Sequence, residues 1–286
     1  MSTANKLYNY FLHLSPMKIL LLGYCTIIAI GTLLLSLPIA VKVPGTENLL
    51  TSFFTATSAT CVTGLIQFDT YTHWSLFGQI VILSLIQIGG MGFMTLCIAI
   101  MTVTKRKIGL FSRSLMQNSV SAPQIGGIVK MTKFILLGTV VVEVTGAILL
   151  AFHFCPQLGV TQGIWFSIFH SISAFCNAGF DLMGSQAQFS SLTAEVGNWY
   201  LNLVIMLLII IGGLGFFVWH DMISTKLDFR HMRLHTKLVL FITVFLIFGG
   251  AVLLFICENG TASYEHLNTS ERIAASLFQL INSCSS

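Results

Sequence analysis

Charge is what this chain has least of. Only 8% of its 286 residues are Asp, Glu, Lys or Arg, against roughly 25% in soluble domains. A water-soluble fold of this composition would expose large apolar surfaces, so the bilayer is the expected solvent. Cysteine pairing is missing too. Cys25, Cys61, Cys97, Cys155, Cys176, Cys257 and Cys284 include no Cys-x-x-Cys pair and sit mostly in apolar surroundings. Free cysteine there behaves as a small buried hydrophobe, so neither a disulfide framework nor a zinc site is supported. Clustered carboxylates, a His-Glu-x-x-His string and a paired nucleophile and base are likewise lacking, which disfavours an intramembrane enzyme. No protein-bound cofactor and no nucleic-acid partner is expected.

Long apolar runs are what the chain has instead, with a mean hydropathy of +0.86. Uncharged stretches cover Ile19–Val41, Leu76–Thr104, Trp199–Trp219 and Leu238–Cys257, and Phe134–Phe154 is broken only by Glu143. Each reaches the roughly 20 residues a helix needs to cross the hydrocarbon core. The first run has 23 residues, too long for a signal-peptide core of about 7–15; it reads as an anchor.

The basic residues set an orientation. Lys6, Lys18, Lys105, Arg106, Lys107, Arg113, Lys130, Lys133, Lys226, Arg230, Arg233 and Lys237, twelve of the fourteen Lys and Arg, fall on one side if the spans alternate. The positive-inside rule makes that side, and the N-terminus, cytoplasmic. Glu47, Asp69, Asp181, Glu195, Glu258, Glu265 and Glu271 then lie outside. They are either ordinary loop charges or an anionic mouth that concentrates cations.

A short string occurs twice. Ser58-Ala59-Thr60-Cys61-Val62-Thr63-Gly64-Leu65 returns 115 residues later as Ser173-Ala174-Phe175-Cys176-Asn177-Ala178-Gly179-Phe180. Each copy follows a helix-like stretch (48–59 and 161–174) too short to cross the bilayer, and precedes a long apolar run holding Gly-Gly-x-Gly-Phe (89–93 and 212–216). Irregular backbone at membrane depth is tolerated only where it is buried in protein or lines a wet cavity. The fold expected is therefore an all-α integral membrane protein of tandem helix–pore loop–helix repeats, arranged pseudo-symmetrically around a pore. Repeat 1 covers 17–104 and repeat 2 covers 127–225, after a cytoplasmic segment at 1–16. Basic loops fill 105–126 and 226–237, and an incomplete third repeat fills 238–286. In that repeat Ser276-Leu277-Phe278-Gln279 echoes Ser167-Ile168-Phe169-His170 and Ser52-Phe53-Phe54-Thr55, but no glycine follows. The chain reads as C-terminally truncated.

A dehydrated cation needs oxygen ligands in place of its water, and inward-turned backbone carbonyls supply them. Gly64 and Gly179 suit such bends because glycine takes positive φ cheaply. The filter positions proposed are Cys61, Val62, Thr63 and Gly64 with Cys176, Asn177, Ala178 and Gly179; the alternative is an ordinary turn after a short buried helix. The Gly-Gly strings permit close helix approach or a kink. Glu143 is an intramembrane carboxyl, costly unless paired, protonated or wet. It is either a protonated carboxyl bonding a neighbouring helix or a functional, coupling group. His231 and His235 have the i, i+4 spacing of a helical metal pair but lie in a basic loop, where a solvated face or a docking surface for an acidic partner fits better. His170, on the second pore helix, fits helix contact.

These residues resemble the Trk/Ktr/HKT superfamily of potassium transporters, in particular its Ktr-type membrane subunit. Leu14-Ser15-Pro16, Gly31–Pro38 and Thr57–Leu65 are similar to that family's first unit, Phe169–Asp181 to its second pore loop and Ile211–Phe216 to its closing helix. The resemblance implies potassium uptake at the plasma membrane by a multi-pass protein, with four units around one pore and filter glycines at Gly64 and Gly179. Homodimers and a cytosolic nucleotide-binding ring subunit are also implied, along with lipid contact. With two filter strings instead of four, the alternative is a non-conducting fragment that interacts with complete transporter subunits.

Overall fold

The structure, a computed structural model, describes residues 16–46, 48–92, 128–185, 187–258 and 268–285. The leading segment through Ser15, Glu47, the span end and basic loop at 93–127, and Glu265 lie outside the described residues. Among the described residues there are ten α-helices, three short 3-10 turns and no strand beyond one antiparallel bridge, Val41 to Trp74.

α1 (Pro16–Leu35) is apolar, and its hydroxyls bond back one turn, as Thr32 Oγ1 does to the Ile28 carbonyl at 2.7 Å. A 3-10 turn at Pro38–Ala40 reverses the chain. α2 (Leu49–Cys61) starts at Asn48, whose side chain accepts from Leu50 N at 3.0 Å and satisfies one orphan donor. It buries Thr51, Ser52, Thr55 and Ser58, a face too polar for lipid. After α3 (Thr70–His73), capped by Asp69, comes α4 (Leu76–Met91), capped by Ser75.

The order then recurs. α5 (Ile128–Leu158) is followed at once by α6 (Val160–Phe175), then by α7 (Trp199–Gly213), which Asn198 caps. α5 and α6 form a tight antiparallel hairpin because Gly163 lies against the Cys155 backbone, where a Cβ would stand 2.5 Å from Cys155 Cα. α8 (Phe216–Ser224) leaves α7 at 92°. α9 (Leu234–Glu258) and α10 (Thr269–Ser285) complete the chain, with α10 between α9 and α7.

The two halves share one aromatic core. Phe154 and Phe166 meet at 6.0 Å, and Tyr71 meets Phe166 edge-on at 5.6 Å. Trp165 donates to Gln79 Oε1 at 2.8 Å, and Gln79 donates to the Trp74 carbonyl at 3.1 Å, so α6 is tied to the N-terminal end of α4. The opposite helix faces stay uncovered: Phe152, Phe241, Phe245 and Phe248 are all exposed. Apolar surface on this scale suits lipid or protein contact.

Among the described residues two helices are each long and apolar enough to cross a membrane, Lys133–Leu158 and Leu234–Glu258, and the bent pair α7–α8 makes a third if it is one span. Two expected spans are interrupted within the described residues, with 93–104 lying outside them, and the run Ile19–Val41 is α-helical only to Leu35. α4 stops at Met91, where Gly92 takes φ 78°, and the run Trp199–Trp219 is broken at Gly215, with φ 85°. Hydropathy fixes neither boundary. The third glycine of each Gly-Gly-x-Gly string does, since its positive φ with extended ψ, a conformation open cheaply to glycine, cannot continue a helix.

Candidate functional site

α2 and α6 end alike. Val62 and Asn177 take left-handed conformations, φ 58° and 56°, and Gly64 and Gly179 both have φ 70°. The hydrogen bonds repeat as well. Thr63 N donates to the Ser58 carbonyl at 3.0 Å and Ala178 N to that of Ser173 at 2.8 Å. Val62 N reaches Ala59 O at 3.3 Å, and Asn177 N reaches Ala174 O at 3.1 Å. Alternating backbone handedness gathers successive N–H groups on one side of a chain, which leaves the carbonyls facing the other. Among the described residues, no hydrogen bond is accepted by the carbonyls of Val62, Thr63, Gly64, Asn177, Ala178 or Gly179.

The two bends meet backbone to backbone. A Cβ on Gly64 would stand 2.7 Å from the Ala178 oxygen and 3.1 Å from Gly179 Cα; one on Gly179 would stand 3.2 Å from Gly64 Cα. Side chains brace them differently. Ser58 Oγ and Thr63 Oγ1 bond at 2.9 Å in the first, whereas Ser173 Oγ donates to the Phe180 carbonyl in the second. Cys61 is exposed at the end of α2, but Cys176 is buried under α4, where a Cβ on Gly90 would stand 2.5 Å from its sulfur. A cavity of about 80 Å³ adjoins the second bend, lined by His170, Ser173, Asn177, Gly179, Asp181 and Phe278.

The family of cation transport proteins named TrkH matches residues 26–285. The chain belongs to the TrkH family. It is similar to the potassium/sodium uptake protein NtpJ of Enterococcus hirae, with 39% identity over 268 residues, 94% of this chain and 58% of that protein. It is also similar to Ktr system potassium uptake protein B of Bacillus subtilis, 40% identical over 268 residues, 93% of this chain and 58% of that one. The Vibrio alginolyticus protein of the same name is 32% identical over 264 residues, 92% of this chain and 56% of the relative. The chain thus spans somewhat more than half the length of these relatives. Membership, with its long apolar helices, makes it a multi-pass membrane protein of a transporter family, not an enzyme.

Within this TrkH chain the Gly-Gly strings have a geometric role. A Cβ on Gly89 would overlap the Thr60 carbonyl oxygen, and one on Gly212 would overlap that of Phe175. Both closing helices therefore seat directly on the last turn of their pore helix. Glu143 is buried, at 8% exposure, and its Oε1 accepts from Gln87 Nε2 at 2.8 Å. Gln87 carries no sequence signal of this, being an uncharged residue in an apolar run 56 positions away.

Other charged and polar groups are occupied as follows. Asp69, expected either as an ordinary loop charge or as part of an anionic mouth, is buried, accepting from Thr72 N at 2.9 Å and from Phe189 N at 3.2 Å. Asp181 accepts from Met183 N at 2.9 Å. Asp69 thus ties its own loop to the one at Phe189, whereas the bond of Asp181 is local. Partial burial lowers the pKa of the Lys42 ammonium, with Asp69 opposing, and the group sits 3.9 Å over the Tyr71 ring. His231 precedes α9 and bonds Asp228 at 2.8 Å, so it does not share a helix with His235. His170 is buried, its Nδ1 2.8 Å from the Phe166 carbonyl.

Proposed function

We propose that this chain takes part in potassium uptake across the plasma membrane as a Ktr-type membrane subunit. The transported K+ loses water and is held by the backbone carbonyls of Cys61, Val62, Thr63 and Gly64 with those of Cys176, Asn177, Ala178 and Gly179. Carbonyl dipoles replace hydration without trapping the ion as a full charge would. The observation that carries this reading is the duplicated bend: two loops of matching φ, in contact, with carbonyls that accept no hydrogen bond among the described residues. The names of the relatives supply the ion. The same reading makes the N-terminus and the loop around Lys226–Lys237 cytoplasmic, where a nucleotide-binding ring subunit docks, and makes the working form a homodimer in lipid.

Expression in a host lacking its own potassium uptake tests the proposal. Growth at low potassium that survives in the wild type and is lost in Gly64→Ala and Gly179→Ala supports it; equal growth of all three overturns it.

A second reading follows from the bend count. The two bends are half of the four-strand ring that the resemblance implies, and half a ring does not replace a hydration shell. In that reading the chain does not conduct and interacts with complete transporter subunits. It predicts no growth rescue alone, co-purification with a full-length relative, and altered uptake by that relative. Rescue by the chain alone excludes it.

A further inference from the structure

Glu143 on α5 is not part of either bend, yet it lies behind the second. Its Oε1 accepts from Gln87 Nε2 at 2.8 Å, while Gln87 Oε1 is buried with no hydrogen-bond partner among the described residues. Among the described residues no Lys, Arg or His forms an ion pair with Glu143. A carboxylate accepts only, so it leaves the amide oxygen of Gln87 orphaned, and an orphaned buried acceptor forfeits its bond to water without replacement. A neutral carboxylic acid has one O–H to donate. It closes a two-bond ring with a primary amide: N–H to acid oxygen, and O–H to amide oxygen. An uncharged acid also avoids the several kcal/mol of placing a bare charge at membrane depth.

The surroundings give this pair a purpose. Gln87 is one turn before Gly90, whose Cα faces Cys176 at the start of the second bend. Ser171 of α6 donates to the Glu143 backbone carbonyl at 2.7 Å, and Gly146, one turn on, lets Ser171 approach. The closing helix of the first half, the opening helix of the second half and the second pore helix therefore converge on Cys176 through these contacts.

We propose that Glu143 is a positioning residue: as a neutral acid paired by two hydrogen bonds with Gln87, it fastens α4 to α5 and so holds the second bend in place. This rests on the filter reading for its link to transport, but the pair itself can be tested without transport.

Three measurements on the full chain in membranes do so. Infrared difference spectra between the wild type and Glu143→Gln show the C=O band of a protonated carboxyl at neutral pH; a carboxylate band in its place overturns the proposal. Alkylation followed by peptide mapping reads the burial of Cys176. An amide in place of the acid can still donate and accept, so Glu143→Gln keeps Cys176 protected, whereas Glu143→Ala and Gln87→Leu raise its labelling rate at least tenfold. Equal labelling in Glu143→Gln and Glu143→Ala overturns the proposal. Finally, the exchange Gln87→Glu with Glu143→Gln restores protection, and failure to do so counts against the pair. If these hold while Gly64→Ala leaves uptake intact, the filter reading fails and the pair stands.

Discussion

Val62 is β-branched yet left-handed, a conformation that costs such a residue energy and persists only where its surroundings impose it. Asn177 holds the matching conformation in the second bend, and asparagine visits that region more readily. Val62→Asn should therefore raise thermal stability, by about 1 kcal/mol, while Asn177→Val lowers it; melting in detergent checks both. Glycine positions were legible in the sequence because they occur twice. Val62 was not, since its type argues against φ above zero, and only its alignment with Asn177 hints otherwise. His73 is a second residue with a measurable consequence. Burial pushes its imidazole below the ordinary value of 6.5, and its enclosed Nε2 has no hydrogen-bond partner. The folded state then resists protonation more than the unfolded one. Stability is full above pH 6.5 and falls as acidification proceeds from there toward the folded pKa. Melting temperature against pH should show that decline in the wild type and a smaller one in His73→Phe.

Helices broke from expectation where conformation, not polarity, sets the boundary. The run at 199–219 is uncharged throughout, and hydropathy cannot register a 92° turn at a glycine of positive φ. The apolar segments themselves, the short polar pore helices and their order were readable from composition and length. The seating of α4 and α7 on the pore-helix ends was not, because two glycines in a row fit close approach and kinking equally well. Substitution separates these roles. Gly89→Ala and Gly212→Ala each drive a methyl into a backbone carbonyl that cannot rotate away, and should cost about 1–3 kcal/mol. Gly249→Ala, with nothing within 4 Å of its Cβ on an exposed stretch of α9, should be neutral or stabilising by up to about 1 kcal/mol. Unfolding midpoints in one detergent compare all three.

For the molecule as a whole, the charge asymmetry makes a topological claim. In a cysteine-depleted background, Gln188→Cys should react with an impermeant thiol reagent added outside intact cells, and His231→Cys should react only after permeabilisation. The reverse pattern inverts the orientation drawn from Lys226, Arg230, Arg233 and Lys237. Fold class was legible because so few charges leave the bilayer as the only solvent for this much apolar surface. How the halves interlock was not, since Gln79 and Gln87 meet Trp165 and Glu143 across distances in sequence that carry no periodic signature. A further link joins the second half to α9. Asp221 of α8 accepts from Arg233 N at 2.9 Å and from Thr236 Oγ1, gripping the first turn of α9. Because α8 leaves α7 at 92° and Asp221 binds the first turn of α9, the basic stretch between α8 and α9 is clasped at both of its ends.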